Sequence, residues 1–105
     1  MIFAVISGIW AVKIESRRDP VTVFRFFGII ITMYYNDHPP PHFHVRYNQQ
    51  KAIISIETLE ILEGSLSYRA FKLVSEWAIL HQTELMENWE LARDNQSLNK
   101  VLPLE

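Results

Sequence analysis

Between Val21 and Tyr35 the chain is rich in Val, Ile, Phe, Thr and Tyr, a pattern that predicts a largely buried strand or a strand pair bent at Gly28. Asn36, Asp37 and His38 bring turn chemistry. Pro39, Pro40 and Pro41 fix three successive φ angles and cannot donate to a ladder, so they predict a stiff extended connector. His42 to Tyr47 and Lys51 to Ile56 alternate as two further strands about a tight turn at Asn48, Gln49 and Gln50. A short strand is expected at Glu60 to Glu63, closed by Gly64. From Ser67, a plausible N-cap, Ala70, Leu73, Val74, Trp77, Ala78, Leu85, Trp89 and Ala92 recur at helical spacing and put both tryptophans on one buried face. Periodicity leaves open one helix to Arg93 or two joined near residues 81–83. Val101 to Leu104 could add an edge strand. The fold class is α+β, a mainly antiparallel sheet of four to five short strands packed by a C-terminal helix or helix pair.

The 105 residues are about one small domain's worth, which excludes two catalytic domains closing over a substrate. The segment MIFAVISGIWAVKI is apolar at 11 of 14 positions, too short for a stable membrane span of about 20 residues. It also lacks the early positive charge of a secretory signal, because Arg17 and Arg18 follow it. A cytoplasmic location is expected. Three readings of residues 1–19 stay open: a strand or helix over part of the core, a peripheral membrane contact, or translation from an upstream start. The division drawn is a 1–19 extension followed by a 20–105 domain.

Composition narrows the chemistry. With no cysteine, disulfides, thiolate zinc sites and cysteine nucleophiles are excluded. The formal charge of −2 hides an uneven distribution. Residues 1–19 carry Lys13, Arg17 and Arg18 against Glu15 and Asp19; residues 20–54 carry Arg25, Arg46 and Lys51 against Asp37 alone; beyond Ser55, nine acids face four cations. An anionic partner should therefore prefer the first half and a basic partner the second.

Three of the four histidines fall in Asn36-Asp-His-Pro-Pro-Pro-His-Phe-His44. On a strand, His42 and His44 share a face and Phe43 turns to the core. Three readings follow. His38, His42 and His44, with Asp37 or Glu57 in reserve, could hold zinc or another divalent ion. Alternatively, with no cofactor, imidazoles act as general base and acid while Arg46, Lys51 or Arg25 holds a phosphate, a metal-independent ribonuclease chemistry using the 2′-hydroxyl. Tyr34, Tyr35 and Tyr47 would then offer stacking surfaces to unpaired bases. Or the rings bond carbonyls left by the prolines and are structural. His81 is read as a satisfied helical residue, and Glu84, Glu87, Glu90 and Asp94 as a solvated face. Arg25, Phe26 and Phe27 are read as a strand entering the core.

The run Phe24-Arg-Phe-Phe-Gly-Ile-Ile-Ile-Thr-Met-Tyr-Tyr-Asn-Asp-His38, with Pro40-Pro-His-Phe-His-Val45, Ala52 to Glu57, Ile61-Leu-Glu-Gly64 and Glu87-Asn-Trp-Glu-Leu-Ala92, resembles the small bacterial family called domain of unknown function 4160. The resemblance spans about 20 to 105, which favours an accessory or upstream-start origin for residues 1–19. It marks Asn36, Asp37, His38, His42 and His44 as the family motif, with Asn88 and Trp89 as structural additions. It implies a gene pair of toxin–antitoxin type, hence a small antitoxin-like partner. Combined with the residues, this gives a toxin-like component acting on RNA. His38, His42 and His44 are the catalytic groups, Asp37 orients an imidazole, and Arg46, Lys51 and Tyr47 contact substrate. The alternatives are a non-catalytic binding or transcription-regulatory module, whose acidic helix docks a basic partner, and a metal-binding domain.

Overall fold

The computed structural model describes residues 20–94, together with 96 and 98. The readings of residues 1–19 and of a strand at Val101 to Leu104 lie outside the described residues. Five strands, β1 (Val21–Phe26), β2 (Ile29–Met33), β3 (His42–Tyr47), β4 (Gln50–Ser55) and β5 (Ile61–Ser65), precede two helices, α1 (Tyr68–Leu80) and α2 (Gln82–Arg93). The strands form one sheet in the order β1-β2-β3-β4-β5, with every neighbouring pair antiparallel. This is the expected α+β architecture. No helix among the described residues is long and apolar enough to cross a membrane.

The apolar run from Val21 is a strand pair because Phe27 and Gly28 both take positive φ, 50° and 79°, as a two-residue hairpin with the strands' own twist requires. In β1 the register shifts between Thr22 and Phe24. That bulge lets the consecutive Val23 and Phe24 both be buried. In β2 the alternation is regular: Ile29, Ile31 and Met33 are buried, Ile30 and Thr32 are not. Asn48 makes the β3–β4 turn with φ 55°.

One face of the sheet is covered by the helices. Val23, Ile29, Ile31, Phe43, Val45 and Ile54 pack with Val74, Trp77, Leu85 and Trp89 in a single core. The Phe24 and Trp77 rings stack at 5.1 Å and 9°. Ser67 caps α1, its side chain accepting from the Ala70 N–H at 3.2 Å. Ser67→Ala should cost about 1 kcal/mol, seen in urea unfolding as a lower midpoint at unchanged slope.

Three local expectations are corrected. Gly64 lies inside β5 and does not close it. Residues 39–40 form a bend, so the connector is bent and not extended, and its Pro39–Pro40 peptide bond is cis. Of the two readings left open for the helical segment, the structure has the helix pair: His81 leaves helical geometry at φ −126°, ψ 22°. There the Gln82 side chain donates to the carbonyls of Ile56 and Glu57, tying the break to the sheet. Finally, Phe27 is 75% exposed and Arg25 is exposed on the sheet face that, among the described residues, no helix covers, so of Arg25, Phe26 and Phe27 only Phe26 packs on the core.

Candidate functional site

Asn36, at φ 55°, turns the chain out of β2, and its N–H bonds the Ala92 carbonyl in the last turn of α2. The loop carrying Asp37 is thus anchored to the helix. Asp37 Oδ1 accepts the His38 backbone N–H at 3.0 Å. Its Oδ2 lies 2.8 Å from His42 Nε2 and 3.2 Å from His44 Nε2. One carboxylate oxygen therefore serves two imidazoles that strand geometry places on the same side of β3.

The two rings differ in their surroundings. His42 is buried, at 6% exposure, with its ring 5.1 Å from that of Trp89 and its Nδ1 2.7 Å from the Pro40 carbonyl oxygen. His44 is half-buried, with Tyr34 edge-on at 4.7 Å. Burial acts to raise the Asp37 pKa, but hydrogen bonds from His44 and His42, the charge of His42 and the His38 N–H outweigh it. The carboxyl is held below its ordinary value of 3.8.

His44 opens onto the face of the sheet opposite the two helices, which no other described element covers. Cross-strand pairing builds two rows there, Thr22–Thr32–His44–Ile53–Glu63 and Arg25–Ile30–Arg46–Lys51–Ser65. All of these but Ser65 line a cavity of about 410 Å³, whose rim includes Pro20 and Tyr34. Three cations, Arg25, Arg46 and Lys51, and one carboxylate, Glu63, border it. Among the described residues none of the three cations is ion-paired. The face is thus cationic within a protein of net negative charge.

Of the residues singled out in the sequence, Asp37, His42 and His44 converge, with ligand atoms within 4.8 Å of one another. Arg46 and Lys51 are cross-strand partners on the adjoining face. His38 stands apart: its side chain is 93% exposed and its Nδ1 lies 3.7 Å from Asp37 Oδ1. Tyr47, one residue beyond Arg46 on β3, points to the other side and packs against the core. Glu57 is exposed outside the group. His81 bonds Glu84 at 2.5 Å, leaving Glu87, Glu90 and Asp94 as the exposed acids of that stretch. The helical spacing of Trp89 marks it as core and carries no sign that its ring backs His42.

A family model described as domain of unknown function (DUF4160) matches residues 28–90. No curated protein and no solved structure matches the chain.

Proposed function

The chain belongs to the domain of unknown function 4160 family, and we propose that it acts on RNA as the toxin-like component of a two-protein module. The observation carrying this reading is that His44 belongs both to the carboxylate-linked pair and to the wall of the cationic cavity. A reactive imidazole and a phosphate-binding surface share one wall.

In its neutral form with hydrogen on Nε2, His44 donates to Asp37 Oδ2 and presents the lone pair of Nδ1 as a base, in the way a carboxylate orients an imidazole in catalytic triads. Nδ1 takes the proton of a ribose 2′-hydroxyl. The 2′-oxygen attacks phosphorus, the bond to the 5′-oxygen breaks, and that oxygen leaves with a proton from solvent. The products are a 2′,3′-cyclic phosphate and a 5′-hydroxyl. Arg46 and Lys51 hold the non-bridging oxygens, where negative charge grows in the transition state. Tyr34 offers an aromatic edge to a neighbouring base.

The test is cleavage of a panel of short single-stranded RNAs in the presence of a chelator, with binding measured against salt. Cleavage to cyclic-phosphate ends is expected. Arg46→Glu combined with Lys51→Glu should weaken binding and flatten the plot of log affinity against log salt by about 1.4, from roughly 0.7 per phosphate contact. Intact RNA across the panel, or an unaltered salt slope, overturns the assignment.

A further inference from the structure

His42 poses a problem in proton accounting. A carbonyl oxygen can only accept, so the 2.7 Å contact with Pro40 requires hydrogen on His42 Nδ1. In the neutral ring, Nε2 then carries a lone pair. That lone pair faces Asp37 Oδ2, an anionic acceptor, at 2.8 Å. Two lone pairs at this distance repel, and only a cation between them, a proton or a metal ion, makes the contact favourable.

The surroundings favour a metal ion as a second occupant. His44 Nε2 reaches the same carboxylate oxygen from the same side, so two imidazole nitrogens and one carboxylate oxygen converge. A metal-ligating histidine characteristically donates its other ring N–H to a backbone carbonyl or carboxylate, which fixes tautomer and ring orientation. The Nδ1–H of His42 does this with Pro40, while the Trp89 ring beside it excludes water on that side. The remaining Asp37 oxygen is steadied by the His38 N–H. With metal–ligand bonds of about 2.0–2.2 Å, ligand atoms of a tetrahedral site stand about 3.3–3.5 Å apart. The 2.8 and 3.2 Å contacts lengthen by about 0.1–0.7 Å as the Asp37 carboxyl turns aside, and the two imidazole nitrogens, within 4.8 Å of each other, draw in to the same spacing. The half-exposed His44 leaves the fourth position toward solvent.

We propose that Asp37, His42 and His44 form a binding site for one divalent transition-metal ion, through Oδ2 and the two Nε2 atoms. Nitrogen and carboxylate donors without sulfur suit zinc and its first-row neighbours over calcium or magnesium. A further consequence rests on the RNA reading. His44 Nε2 cannot both ligate a metal and hold the hydrogen donated to Asp37, so a bound ion takes the base out of service. Zinc should inhibit cleavage and a chelator restore it.

The experiment uses tag-free full-length protein stripped with a chelator. It is titrated with zinc by calorimetry and with cobalt(II) by visible absorption, with no RNA present. One ion per chain is expected, with cobalt bands of tetrahedral or five-coordinate nitrogen and oxygen ligation. Affinity should fall at least about 100-fold in His44→Gln and in Asp37→Asn, both checked for folding by circular dichroism, and be unaltered in His38→Ala. Because His42 is buried against Trp89 and its replacement mixes packing with ligation, nitrogen NMR of wild-type protein provides its readout: zinc should move the Nε2 signals of both His42 and His44. No binding, undiminished binding in both variants, or unmoved Nε2 signals overturns the site. RNA cleavage by protein that binds no ion would leave the proposed activity standing without the metal site, and one bound ion with intact RNA would do the reverse.

Discussion

His44→Ala is expected to lower RNA cleavage by about 10²- to 10⁴-fold, the usual range for loss of a positioned general base, with little loss of stability. The two effects separate because His44 is only half-buried on the face opposite the helices, and its removal leaves no hole in the core. Asp37→Asn should give a smaller but parallel loss of rate. The amide can still accept from His44 Nε2, but without the charge that stabilises the imidazolium formed during proton transfer. His42 is a poorer probe: its ring is buried against Trp89, so truncation mixes chemistry with packing. In a bacterial host, expression of the wild-type chain should arrest growth and the His44→Ala chain should not. Equal cleavage rates for wild type and His44→Ala would remove the base from His44, and equal growth of the two strains would remove the toxin-like role.

Gly64→Ala should be the most damaging single methyl group in the sheet. Gly64 has φ +84°, and a Cβ there would lie 2.2 Å from the Lys51 carbonyl oxygen and 3.0 Å from the Ala52 Cα. Both obstacles are backbone, so relief requires β4 and β5 to part. Left-handed strain alone costs about 1–2 kcal/mol, and disruption of the ladder should bring the total to about 3 kcal/mol or more. For a domain of this size that is a fall in Tm of roughly 12–24 °C. Gly28→Ala provides the contrast. It also has positive φ, +79°, but its nearest neighbour is a Tyr47 side-chain carbon at 3.6 Å, so only the conformational cost applies. Equal melting of Gly64→Ala and wild type would contradict the β4–β5 register. The consequence reaches the cationic face, since Glu63 of β5 lies across from Ile53 in the row that contains His44.

What could be read from the sequence divides along physical lines. The strands, the Asn48 turn and the buried tryptophans follow from local pattern, because alternation and helical spacing report burial directly. Phe27 did not announce its turn: an aromatic residue is a poor choice for a positive φ, and Gly28 alone carried the signal. Gly64 read as punctuation because the close approach of β4 that demands a glycine is a tertiary fact. The helix break at His81 preserves the phase of the apolar stripe, so periodicity had nothing to register. In the site, the i, i+2 spacing of His42 and His44 announced a shared face. That Asp37 would reach both while His38, its neighbour, would stand in solvent depends on the backbone turn at Asn36. The cavity wall owes Thr22, Arg25 and Glu63 to strand register across the sheet, which no short motif contains.

The meander also sets an order of assembly. Each strand pairs with its neighbour in sequence, so contacts within the sheet are local and should form early and quickly. The two histidines share one side of β3 as soon as that strand forms. Yet Trp89 behind His42 and the Ala92 carbonyl that holds Asn36 lie near the end of α2. On a ribosome, residues 36–44 would therefore emerge well before the helix that seals them. The cluster would gain its final geometry only when α2 docks.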